Sequence, residues 1–129
     1  MTISTFINLP VRDLATSAEF FRSLGFTGER PAPDGASMML PLNETTQLIL
    51  HIASAFAGYT GVAVTDTGTS REVIVGLAAS SREQVDEMVD RAVAAGGTTL
   101  GPGQDSGPLY MRGFRDLDGH QWSFLHLAG

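Results

Sequence analysis

Four side chains in this sequence are candidates for metal binding or proton transfer. They are Glu72 and the three histidines, His51, His120 and His126. Imidazole and carboxylate groups bind divalent metals and act as general acids or bases. Each also has a structural interpretation. Glu72 follows Arg71 and can be a solvated residue, His51 and His126 can pack on a helix, and His120 can bond within a turn. For the histidines we favour the structural interpretation.

Other common chemistries lack their sequence signals. No cysteine occurs, which excludes disulfides, thiolate nucleophiles and cysteine-based zinc sites. The serines are not part of a nucleophile-elbow motif. The glycine-rich segment Gly101–Pro108 does not follow a strand and open a helix, as phosphate-binding loops do, so we expect an irregular loop there.

A phenol and a cation lie close together near the end of the chain. Tyr110 and Arg112 are two residues apart in a predicted strand, so their side chains share one face. Together they could bind an anionic or aromatic ligand. A surface ion pair is the equally weighted alternative for Arg112.

Composition limits the class of protein and its partners. The chain has 129 residues, of which 43% are hydrophobic, and this is enough to form a buried core. A net charge of −6 argues against nucleic acid or an anionic membrane as the main partner. We recognise no signal peptide in MTISTFINLP and no apolar run of the ~20 residues that a membrane span needs. A cytoplasmic location is therefore expected.

Two segments have the periodicity of amphipathic helices. The first begins after a capping residue, Asp13, and ends at Gly25. The second is capped by Ser80 or Ser81 and ends at Gly96–Gly97. Each helix has one apolar stripe, so each should cover a sheet.

Short runs rich in branched and aromatic residues predict the strands. They are Thr5–Val11, Leu48–Ile52, Val73–Ala78, Leu109–Phe114 and Gln121–Leu127, with Met38–Leu40 a weaker candidate. Asp116–Gly119 predicts a tight hairpin turn before the last strand. The segment 54–70 is rich in Gly, Thr and Ala and reads as a linker or a mobile flap.

The order of these elements predicts the fold. A strand, a helix and then several strands occur twice, at about 1–56 and 71–129. We therefore predict one α+β domain over 1–129, made of two βαβββ units. A single unit would leave one sheet face uncovered, so two units are expected to enclose a cavity.

Three segments carry a family resemblance. Leu9–Phe26 resembles the opening strand and helix of the vicinal oxygen chelate superfamily, which includes glyoxalases, bleomycin-resistance proteins and extradiol dioxygenases. Glu72–Gly97 is similar to its second strand and helix, and Arg112–Leu127 is similar to its closing hairpin. The resemblance implies a cupped mixed sheet with helices on the outer face, usually in a homodimer.

The resemblance also implies a metal site with four ligands, typically His and Glu. Those positions fall on Phe6, Leu50, Glu72 and Ser123. Only Glu72 could bind a divalent ion strongly, and one carboxylate is insufficient. No metal or other cofactor is therefore expected.

A shift of one residue in the second of these strands would change the set of donors. It would turn His51 into the cavity beside Glu72, and Asn8 could add a weak carbonyl oxygen. Two ligands and one weak donor would still be fewer than a full site needs. A divalent metal is therefore the less favoured alternative.

The expected cavity lining mixes apolar and polar groups, as ligand pockets do. We name as candidate ligand-binding residues Phe6, Asn8, Leu50, Tyr110, Arg112, Gln121 and Ser123. The favoured interpretation is a homodimer that binds a small molecule without metal. One alternative is a lyase, isomerase or dioxygenase of the glyoxalase type with a divergent metal site, in which Glu72 is the catalytic base. The other is a structural or regulatory dimer with a filled cavity.

Overall fold

The order strand, helix, strands occurs twice in the computed structural model, which describes residues 3–128. The chain divides between Thr65 and Asp66 into two compact units. The predicted α+β class and the two βαβββ units are confirmed. The strands form two mixed sheets, one in each unit, where a single sheet was expected, because each unit pairs its first strand with its own last strand.

The first unit contains four strands and two helices. Its elements are β1 Thr5–Val11, α1 Leu14–Ser23, β2 Arg30–Pro31, β3 Ser37–Pro41, β4 Thr46–Ile52 and α2 Ala53–Thr60. The strand order is β1-β4-β3-β2, with β1 and β4 parallel and the other pairs antiparallel.

Helix α1 covers one face of the first sheet. The Asp13 side chain accepts a hydrogen bond from the Thr16 amide at 2.9 Å, which caps the helix as predicted. Phe21 is buried on α1, and Leu9 and Leu50 are buried on the strands. Burial of each such side chain contributes roughly 1.5–3 kcal/mol to folding, so this face is the core of the first unit.

The second unit repeats the arrangement with its second strand interrupted. Its elements are β5 Ile74–Ala78, α3 Arg82–Ala94, β6 Thr98–Thr99, β7 Gln104–Ser106, β8 Leu109–Arg115 and β9 Gln121–Leu127. The order is β5-β9-β8-β6, and both β6 and β7 pair with β8 as β2 pairs with β3. The sequence offered Ser80 or Ser81 as the N-cap of α3. The structure shows that it is Ser81, whose side chain accepts a hydrogen bond from the Gln84 amide.

An aromatic stack fills the core of the second unit. Phe114 on β8 lies between Trp122 and Phe124 of β9, with ring centroids 6.4 and 6.0 Å apart and nearly parallel planes. All three are buried, as are Val85 and Val89 of α3. Offset aromatic packing adds to the area that these rings bury. Helix α3 therefore covers this face as α1 covers its own.

A short helix lies in the segment 54–70, for which the sequence predicts a linker or flap. The helix is α2, which continues from β4 without a polar N-cap and ends at Gly61, whose φ is +75°. A helix without a capping side chain and with little amphipathic periodicity gives no sequence signal, which explains the omission. No helix within residues 3–128 is long and apolar enough to cross a membrane.

Candidate functional site

The face of the first sheet opposite α1 carries the most distinctive group of side chains. Because partners in a parallel pair point the same way, Phe6 and Asn8 of β1 share this face with Gln47, Ile49 and His51 of β4. We call it the Asn8–His51 face. It mixes aliphatic, aromatic and polar groups, which is typical of ligand-binding surfaces.

The position of Leu50 corrects the predicted register of β4. Leu50 pairs with Leu9 and is fully buried on the α1 side, so it does not belong to the Asn8–His51 face. Strand β4 starts at Thr46, and its parallel pairing places Leu48 and Leu50 in the core. The alternation of the strand then turns His51 to the other side, as in the alternative register. The favoured placement of His51 on the α1-covered side was wrong.

Asn8 and His51 form a hydrogen-bonded pair between β1 and β4. The His51 Nε2 atom lies 2.8 Å from Asn8 Oδ1. An amide oxygen only accepts hydrogen bonds, so Nε2 carries the proton and donates. The other ring nitrogen, Nδ1, then has a lone pair, and it is buried without a hydrogen-bond partner. Burial also lowers the pKa of His51 below its usual value.

Two aromatic side chains of α2 lie against His51. The ring centroid of Tyr59 is 5.3 Å from that of His51 in an edge-to-face arrangement, and that of Phe56 is 6.1 Å away. His51 is only 6% exposed, whereas Tyr59 is 75% exposed. Helix α2 therefore covers the imidazole with side chains that remain accessible.

Phe6 and Gln47 extend the Asn8–His51 face along the strands. They are partners in the β1–β4 register. Phe6 is 52% exposed, which is unusual for a phenylalanine. The Gln47 Oε1 atom is buried without a hydrogen-bond partner. The face thus carries an accessible aromatic ring and two buried acceptor atoms, of which Gln47 Oε1 belongs to the register partner of Phe6.

Gln121 and Ser123 lie on the corresponding face of the second sheet, opposite α3. Ser123 pairs with Gly76 of β5 and with Gly113 of β8, and it is 6% exposed. A side chain at Gly76 would lie 3.4 Å from the Ser123 Oγ atom. The residues paired with Ser123 on both sides are therefore glycines, and the side chains of Leu125 and Leu100 lie close to them.

Tyr110 and Arg112 share a face as predicted, but it is the face that α3 covers. The Tyr110 hydroxyl donates to Asp86 at 2.6 Å, and this bond raises the pKa of Tyr110. Arg112 donates to Asp86 and Asp90, both at 3.1 Å. The arrangement is that of the ion-pair alternative: these groups bind helix α3 to the sheet.

Glu72 stands apart from the strands. It is exposed and lies in a bend two residues before β5. Among residues 3–128, no group of three or more His, Cys, Asp or Glu side chains is arranged to hold a metal ion.

The donors at the four implied ligand positions do not fit the family's metal site. The Phe6 ring has no donor atom, Leu50 is in the core, and Ser123 is a neutral hydroxyl. Glu72 is then the one strong donor among them, and three or four are needed. The chemistry of these side chains therefore disagrees with the metal site that the resemblance implies.

Two features of the structure were missed in the sequence. One is the contact of Phe56 and Tyr59 with His51, for which the i, i+3 spacing in AFAGY was the available signal. The other is buried Asp116, whose carboxylate accepts from the Asp118 and His120 amides and from Trp122 Nε1. The D-L-D-G motif indicated a turn but not its bond to the indole.

Comparisons with known proteins identify related chains. Residues 4–124 match the family model of the Glyoxalase/Bleomycin resistance protein/Dioxygenase superfamily. A search of curated proteins finds none that matches.

Solved structures extend the similarity over nearly the whole chain. A hypothetical protein from S. aureus is 30% identical, with a TM-score of 0.85 over 98% of this chain and 95% of that one. A glyoxalase-related enzyme from Fulvimarina pelagi is 25% identical, with a TM-score of 0.80 over 98% and 88%. A glyoxalase/bleomycin resistance protein from Albidiferax ferrireducens is 25% identical, with a TM-score of 0.71 over 94% and 95%.

Proposed function

Because the chain belongs to the Glyoxalase/Bleomycin resistance protein/Dioxygenase superfamily, we propose that it binds a small organic molecule on the Asn8–His51 face without a metal ion. The proposal includes a homodimer in the cytoplasm, as expected from the sequence. It includes neither nucleic acid nor a membrane as a partner.

One observation carries the proposal. The Asn8–His51 face carries the accessible ring of Phe6, whose register partner is Gln47, and two buried acceptor atoms without a partner, Gln47 Oε1 and, further along β4, His51 Nδ1. A buried polar atom without a hydrogen bond costs roughly 1–3 kcal/mol, and a bound molecule that donates to it would remove that cost. An aromatic wall with a few such groups is the usual composition of a small-molecule site.

The donor set supports binding rather than the metal-dependent chemistry of the glyoxalase type. A lyase, isomerase or dioxygenase of that type needs a divalent ion to polarise its substrate. Phe6 and Leu50 supply no donor for one, and Glu72 alone would hold it weakly. A binding protein requires only the walls and the polar groups that the face provides.

Ligand binding in the presence of a chelator tests this function. We expect a panel of small metabolites, screened in EDTA by thermal shift and then by calorimetry, to contain compounds that bind saturably and are not converted. Phe6→Ala should weaken their binding at least several-fold, since it removes an accessible aromatic wall and little of the core.

Val93→Ala is the control, because it shortens an exposed apolar side chain on α3. Its affinity should equal that of the wild type. Binding or turnover that appears only when metal is added would contradict the proposal, and so would a panel from which nothing binds.

A further inference from the structure

One atom on the Asn8–His51 face restricts what the ligand can be. His51 Nε2 is committed as a donor to Asn8 Oδ1 at 2.8 Å. The ring therefore presents Nδ1 as an acceptor. This atom is buried and has no hydrogen-bond partner, and the whole residue is only 6% exposed. In a neutral imidazole one nitrogen donates and the other accepts, so the Asn8 oxygen fixes the role of both.

We propose that this acceptor selects the ligand: the bound molecule is a neutral aromatic compound that donates a hydrogen bond, from a hydroxyl or an amide N–H, to His51 Nδ1. The inference rests on the proposed function and names the ligand class for the same site.

The surroundings of His51 favour a neutral donor over an ion. An anion would face the lone pair of Nδ1, and a carboxylate has no proton to give. Burial lowers the pKa of His51, so protonation of Nδ1 to receive an anion is disfavoured near neutral pH. The described groups that bond to or pack against the His51 ring are the Asn8 amide and two aromatic rings, and none of them is charged. Its register partners, Pro10 and Ser37, are uncharged as well.

The aromatic part of the ligand follows from helix α2. Tyr59 and Phe56 lie against His51, and Tyr59 is 75% exposed. No side chain of α2 is buried, and its N-cap residue, Ile52, makes no side-chain capping bond. A helix this short is marginal without packing. A ring can therefore take the place of an α2 side chain against the imidazole, at little cost in core contacts.

Phenol and toluene are the probes that test the inference. They share a ring and differ in a hydroxyl donor against a methyl group. We expect amide chemical shifts of the Asn8–His51 face, in an NMR titration of the full chain, to report phenol binding about tenfold tighter than toluene binding. His51→Leu, which removes the acceptor, should bring the two affinities to within about twofold of each other.

A second measurement does not depend on a variant that folds. Long-range ¹H–¹⁵N correlation spectra of the wild type should show His51 protonated at Nε2, with the Nδ1 resonance moving when phenol is added. A proton on Nδ1 in the free protein would overturn the inference.

The outcomes separate this inference from the proposed function. Equal binding of both probes at the face would overturn the donor requirement and leave small-molecule binding standing. Binding of neither probe would also overturn it, and the metabolite panel would then decide the proposed function by itself. A preference for phenol that persists in His51→Leu would place the acceptor elsewhere.

Discussion

At the scale of single residues, the composition of the Asn8–His51 face depends on which side of β4 His51 occupies. The sequence alone placed Asn8 and Phe6 on a common face, because side chains two positions apart on one strand point to the same side of the sheet. It could not place His51 relative to them, since the pairing of β4 with β1 is a long-range register. A shift of one residue in the register of β4 decides whether Leu50 or His51 lies on the same face as Phe6 and Asn8.

The roles of Tyr110, Arg112 and Glu72 illustrate a second limit at this scale. The shared face of Tyr110 and Arg112 followed from their spacing. Their partners, Asp86 and Asp90, come from a helix more than twenty residues away, and no local pattern shows such a pairing. The isolation of Glu72 depends equally on the tertiary fold.

The buried imidazole predicts a pH dependence of stability. The pKa of His51 is lowered by burial, so the unfolded chain takes up a proton at a higher pH than the folded chain does. Stability should therefore fall as the pH drops from about 7 through the unfolded pKa of about 6.5, until the folded histidine also protonates.

Urea unfolding at a series of pH values measures this effect. His51→Leu should flatten the decrease between about pH 7 and pH 5. His126→Leu is the comparison variant, because His126 bonds to the Ala79 carbonyl on the second unit. An unchanged slope in His51→Leu would show that this imidazole does not contribute.

At the scale of elements, the parts with local signals were predicted and the others were not. The caps Asp13 and Ser81 and the Gly119 turn, whose φ is +81°, are chemical signals within a few residues of what they control. Helix α2 has no such signal. The short strands β2, β6 and β7 exist because a neighbouring strand pairs with them.

The turn between β8 and β9 should be sensitive to the loss of one charge. Burial raises the pKa of Asp116, yet its two oxygens accept three hydrogen bonds, including one from Trp122 Nε1 at 3.0 Å. In Asp116→Asn one of those oxygens becomes an amide donor that faces another donor. We expect a loss of about 1–3 kcal/mol in the free energy of unfolding, measured by urea denaturation.

Trp122→Phe separates the contributions at this turn. It removes the indole donor and leaves the two backbone bonds to Asp116. Asp116→Asn should then cost less in the Trp122→Phe background than in the wild type. Additive losses would mean that the indole bond does not hold the turn.

Helix α2 should be the least protected of the three helices. It has eight residues and none of its side chains is buried, whereas α1 and α3 bury several each. Local opening costs least where few apolar contacts are lost. Hydrogen exchange measured by mass spectrometry should show α2 exchanging at least tenfold faster than α1 and α3. If α2 were as protected as α1 and α3, a ligand would not readily displace the α2 side chains that cover His51.

At the scale of the whole molecule, the chain keeps the fold of its superfamily, and Glu72 is the one strong donor at the positions where the resemblance implies metal ligands. The repeat of strand, helix and strands was readable because it follows from two helical periods and their flanking strands. The division into two sheets was not, since it depends on which strands pair. The sequence alone shows that Phe6, Leu50 and Ser123 are not strong metal donors, and the structure shows their positions on β1, β4 and β9.

The central claim is that this chain retains the family's fold without its metal-dependent chemistry. Elemental analysis by inductively coupled plasma mass spectrometry tests it most directly, on protein purified without a histidine tag and then offered Mn, Fe, Co, Ni and Zn in turn. We expect no metal to approach one ion per chain, in the wild type or in Glu72→Gln. A stoichiometric metal in the wild type that is lost in Glu72→Gln would contradict the account and would direct the work to glyoxalase and dioxygenase assays.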